Sequence, residues 1–207
     1  IILGLVAAGL FTLHRASQHV PEFYGQAIQA DPTAQKDASD KMLQKAAALV
    51  SDVGNEVEWK SVFTAEEING WLAVDLVQNH PDTLPSSVTD PRVSIEPDHL
   101  SLACRCEWKG WKCVLSVVVD VYLAEPNVMA LRIRKARAGA VPLPLEEVIE
   151  RITTAAQKMD VQLRWQQVEG DPVALLSIRP PRDDEPVMRI ESIKLGEGEI
   201  YLAGSKE

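Results

Sequence analysis

The chain has 207 residues, 46% of them hydrophobic and 25% charged, which is enough to bury a core without help from disulfides or metals. A formal charge of -9 and a pI near 5.0 exclude the broad basic surface that phosphate backbones demand; the one dense basic stretch, "RIRKARAG" at 132 to 139, reads as a solvated strand edge. Three Cys are an odd number and too few for a disulfide scaffold, so they leave the redox compartment open.

The chain opens on "IILGLVAAGLFTL", an unbroken apolar run from Ile1 to Leu13 that stops at His14 and Arg15. As a helix it covers about 20 Å, short of the ~30 Å hydrocarbon core of a bilayer. It can be the distal part of an uncleaved membrane anchor whose earlier residues precede Ile1, the apolar region of a signal peptide, or a buried helix. We take residues 1–16 as the anchor, because no convincing processing site interrupts the run. Residues 17–32 then read as a juxtamembrane linker, in which Phe23 and Tyr24 are set either to meet a headgroup layer or to dock on the domain. Residues 33–207 form one domain.

Between Thr33 and Val53 the apolar residues Met42, Leu43, Ala46, Leu49, Val50 and Val53 recur at helical spacing. A second helix begins at Thr64, with Glu67 three residues on to complete a capping box, and puts Ile68, Trp71, Leu72 and Leu76 on one face before His80-Pro81 ends it. From Arg92 the period changes to alternation. "HLSLACRCEW" and "WKCVLSVVVDVYL" read as a hairpin about Lys109-Gly110, and Glu125-Pro126-Asn127 turns the chain into a strand with Met129, Leu131 and Ile133. "PLEEVIERITTAAQKM" is again helical, with Leu145, Val148, Ile149, Ile152, Ala155, Ala156 and Met159 in one stripe and Glu146, Glu147, Glu150 and Arg151 opposite. Strands follow at about 161–168, 172–179, 187–195 and 199–203.

Few residues offer chemistry. A two-residue turn puts Cys106 opposite Cys113, about 5 Å apart at Cβ, so the pair can be a disulfide or two inert buried thiols. A metal centre would need a fourth ligand, with His99 the one histidine near that register. None of the four His residues, at 14, 19, 80 and 99, has a nucleophile at a recognisable spacing, and the acidic pairs are adjacent residues that diverge. No phosphate loop or HExxH stretch is present. The expectation is a non-catalytic chain without cofactor or metal.

The phrase "TAEEINGWL" at 64 to 72 and "GAVPLP" from Gly139 to Pro144, in the order anchor, helices, strand meander, helix, strands, resemble the YpmS-like single-pass proteins of bacteria. More distantly they resemble the tubular lipid-binding (TULIP, BPI-like) superfamily. The resemblance covers most of residues 55–204. It implies an α+β fold, with a curved antiparallel meander packed around a long amphipathic helix, and an extracytoplasmic (periplasmic) location. It also implies an apolar groove for lipid, whose walls would be Ile68, Trp71, Leu72 and Leu76 from one helix and Val148, Ile149 and Ile152 from the other. The partners expected are the bilayer, through residues 1–13, a lipid or other apolar ligand, and no nucleic acid. A second reading makes the chain a structural or assembly subunit that docks onto a larger membrane protein complex. A continuous apolar cavity of several hundred Å³ would favour the first reading, and a packed interior with an exposed apolar patch the second.

Overall fold

The computed structural model describes residues 15–108, 110–158, 161–178 and 188–206. The fold is α+β. Strands β2 (Val88–Glu96), β3 (His99–Trp108), β4 (Trp111–Glu125), β5 (Val128–Ala138), β8 (Asp171–Ser177) and β7 (Leu163–Val168) lie side by side in that order, with the short β6 (Val141–Pro142) paired to β5. A second sheet joins β1 (Glu58–Thr64), β10 (Glu199–Lys206) and β9 (Met188–Leu195). Every pairing is antiparallel. The described helices are α1 (Glu22–Ile28), α2 (Pro32–Asn55), α3 (Ala65–Ala73), α4 (Asp75–Asn79) and α5 (Leu145–Lys158). None of them is long and apolar enough to cross a membrane; the expected anchor at residues 1–13 lies outside the described residues.

Strand alternation gives the large sheet two unlike faces. On the first, Leu100, Leu102, Cys104 and Cys106 of β3 stand opposite Val119, Val117, Leu115 and Cys113 of β4, and α5 lies over part of this surface. On the second, α1 docks. Its Tyr24 is 0% exposed, packs with Ala103 and Val114, and donates its hydroxyl to the Asp90 carbonyl at 2.9 Å. Burial therefore pushes the Tyr24 phenol up to about 12. Of the two uses open to Tyr24, docking is the one observed, and residues 22–28 of the expected linker are a packed helix.

"RIRKARAG" lies in β5, where β8 pairs only as far as Arg132 and β6 only with Arg137 and Ala138, so residues 133–136 have β4 on one side and no paired strand on the other; Arg132 is held by Asp171 and Glu169 and Arg134 by Asp120. Two further expectations change. The single helix expected from Thr64 to His80 breaks at Val74 (φ -111°, ψ -68°) into α3 and α4. Strand β1 was hidden, because only Trp59 and Phe63 of its seven residues are buried, too short an alternation to stand out beside the helix cap that follows.

Candidate functional site

Helix α3 is positioned by three devices, each from one residue of "EEINGW": two side chains, Glu67 and Asn69, and the bare backbone of Gly70. Thr64 accepts from the Glu67 amide at 3.1 Å while the Glu67 carboxylate accepts from the Thr64 amide at 3.0 Å, which closes the capping box. Lys45 of α2 places its Nζ 2.8 Å from the same carboxylate and donates to the Val62 carbonyl at 3.0 Å, tying α2, α3 and β1 together. Burial alone would raise the Glu67 carboxyl, but the bonds from Lys45 and Thr64 outweigh it and hold the group below its usual range.

Asn69 does a different task. Its Nδ2 donates to the Val93 carbonyl and its Oδ1 accepts from the Val93 amide, both at 2.8 Å, so one side-chain amide stands where a neighbouring strand would at the outer edge of β2. Gly70 supplies contact: a Cβ there would lie 2.6 Å from the Ser39 amide nitrogen and 2.7 Å from the Gln35 carbonyl, so α3 rests directly on the backbone of α2. The residues that carried the family resemblance thus hold the fold together.

The seven expected wall residues fall in two places. Leu76 is buried, Ile68, Trp71 and Leu72 are half-buried, and Trp71 sits beside His80 with ring centroids 6.1 Å apart. Val148 and Ile152 of α5 instead line a cleft of about 70 Å³, together with Cys106, Leu115, Val117, Leu143, Glu147 and Arg151. Ile149 is half-buried and lies outside that lining. The structure brings none of the α3 residues to this cleft.

Helix α5 covers the cleft lightly. Val148 is 3% exposed, whereas Leu145, Ile149, Ile152, Ala155 and Ala156 are half-buried, and the Trp165 indole fixes the helix by donating to Thr153 Oγ1 at 2.8 Å. The sheet beneath is well packed at Cys113, Val119, Ile133, Ala136 and Ala138. Sequence reasoning missed Leu102. It stands mid-strand opposite Val117, on the face that alternation assigned to the core, and is 41% exposed. Burial at such a position depends on which element lies above it, and alternation is silent on that.

The thiols offer little nucleophilic chemistry. Cys106 and Cys113 do pair across the hairpin, with Sγ atoms 3.8 Å apart, and burial pushes the Cys104 and Cys113 thiols up to about 12, far from the thiolate that reacts. His99 lies at the β2–β3 turn, where its ring nitrogens meet Asp98 at 2.8 Å and Glu96 at 3.5 Å; both carboxylates are exposed. These are surface polar contacts of a turn. No protein-family model, curated protein or solved structure matches the chain.

Proposed function

We propose that this chain is a non-catalytic domain that holds an aliphatic chain, as of a lipid, against the apolar face of its large sheet. In this reading residues 1–13 tether it to the extracytoplasmic side of a membrane. One observation carries the reading: the exposed Leu102 and its partner Val117 continue directly into the cleft beneath α5, so the apolar strip is only partly roofed. The resemblance to tubular lipid-binding proteins supports it, with the meander curving round α5 as the amphipathic helix of that architecture.

The cleft's 70 Å³ is well below the roughly 300 Å³ at which ligand pockets begin, which by the criterion set above favours the docking reading; for the lipid reading a bound chain must lie along the strip and displace α5 outward. Val148 and Ile152 then form the movable wall, and Leu115 and Val117 the floor. The α3 residues serve the frame.

The test is lipid extraction and mass spectrometry of the full chain purified from membranes, compared with Leu115→Trp, whose indole fills the strip. A defined lipid species retained by the parent and lost from the variant is the expected result. Equal retention in both would exclude this strip. A photo-crosslinker at Leu102 that captures a protein in membranes, and no lipid, would favour the assembly-subunit reading.

A further inference from the structure

The second face of the large sheet carries a separate depression of about 210 Å³, lined by His19, Ser101, Ser116, Lys135, Arg137 and the backbone of Gly139, among others. No acidic side chain lines it, in a chain with 30 Asp and Glu against 21 Lys and Arg. The neighbouring cations of β5 are neutralised, since Arg132 lies 2.6 Å from Asp171 and Arg134 lies 2.6 Å from Asp120. Among the described residues no such pairing reaches Lys135 or Arg137.

Two features show how the depression is built. Opposite β4, Val118 pairs with Lys135 and Val119 with Ile133, so Arg134 is the extra residue of a bulge. A bulge re-aims side chains locally. Lys135 and Arg137 therefore share the face of Ser116, Val118 and Ser101, which pair across β3, β4 and β5. Gly139 (φ +61°) then lets the incoming segment lie close: a Cβ there would meet the Ser17 and Ala16 carbonyls, the latter at 2.6 Å, and the Ala140 amide donates to Ala16 at 2.8 Å. That contact pins the segment bearing His19 at the rim.

We propose that this depression binds a phosphate group, with Lys135 and Arg137 supplying charge and the hydroxyls of Ser101 and Ser116 supplying hydrogen bonds. Arg and Lys around neutral donors suit an oxyanion, because each charge-assisted bond shortens and strengthens relative to a neutral one. The phosphate can belong to a lipid headgroup or be free in solution. The site lies on the face opposite the aliphatic strip, so it stands whether or not that strip holds a chain.

The experiment titrates the full chain in non-ionic detergent micelles with inorganic phosphate and, separately, with short-chain phosphatidylglycerol, following amide shifts at Ser101, Ser116 and Lys135. Lys135→Gln/Arg137→Gln should weaken binding at least about tenfold. The charge-matched Lys60→Gln/Lys194→Gln, on the other sheet, should leave it unchanged. Saturation by inorganic phosphate identifies a free anion as the source, and saturation by phosphatidylglycerol alone identifies a headgroup. Absence of saturable binding to both probes, or equal weakening in the two double variants, overturns the site. Val117 borders both cavities, whereas Leu115 lines the cleft alone, so the strip is assayed by retained lipid and Leu115→Trp, and failure of one proposal is distinguishable from failure of the other.

Discussion

Helices α3 and α5 have the same kind of sequence, an apolar stripe with charges behind it, yet the fold holds them by different means. Helix α3 is clamped by an ion pair to Lys45, by the Asn69 amide on the edge of β2 and by Gly70 against the backbone of α2. Among the described residues helix α5 rests mainly on apolar contact about the buried Val148, with the Trp165 bond to Thr153 and a polar partner at Glu147 beside it. Directional bonds and backbone contact fix one geometry, whereas apolar contact tolerates sliding and lifting. A distinctive motif here marks architecture, and the plainer helix is the one that the proposed ligand would displace.

The contrast breaks most directly at Gly70. Gly70→Ala drives a methyl group into the Ser39 amide and the Gln35 carbonyl, both backbone atoms that cannot swing aside, so α3 must lift from α2. Urea denaturation should show a loss of about 3 kcal/mol, the upper part of the usual range for overpacking. A loss below that of Val148→Ala would invert the proposed order of rigidity. Asn69→Ala comes next. It removes two bonds and leaves the Val93 amide and carbonyl without that partner, at a cost of about 2 kcal/mol, and amide exchange at Val93 should accelerate with it.

Much of this frame was legible in the sequence. Thr64 and Glu67 announce the cap because the box is local, and a two-residue turn fixes Cys106 opposite Cys113 by counting alone. The placement of Asn69 was not legible, since its partner Val93 lies 24 residues away across a loop. Nor was the departure of β9 and β10 from the large sheet to join β1, because strand partners are chosen by long-range packing and alternation is the same in either sheet. The candidate strip suffered from the same limit: Leu115 and Val117 were assigned to an apolar face, but nothing local told that α5, and not α3, would lie over them.

On the α5 side, Val148→Ala removes about two methylene equivalents from a buried position and should cost about 1.5 kcal/mol. The more telling readout is where the change appears. Hydrogen exchange should rise across Leu145–Lys158 while α3 keeps its protection, because few directional contacts transmit the loss. Equal loosening of both helices would show that they form one cooperative unit, and the idea of α5 as a movable wall would fall.

The smallest effect sharpens what clamps α3. Glu67→Gln keeps a capping box, since Gln serves at that position, and removes only the charge that faces Lys45. Lys45 is 40% exposed, so solvent screens the pair and the loss near neutral pH should be about 1 kcal/mol. The folded carboxyl sits below its unfolded value of about 4.3, so its contribution is complete above that pH and disappears as the pH falls through the folded value. Stability measured for parent and variant should therefore differ at pH 7 and converge in acid below the folded value. A difference that persists there would mean the carboxylate's geometry in the cap, and not its charge, is what matters to α3.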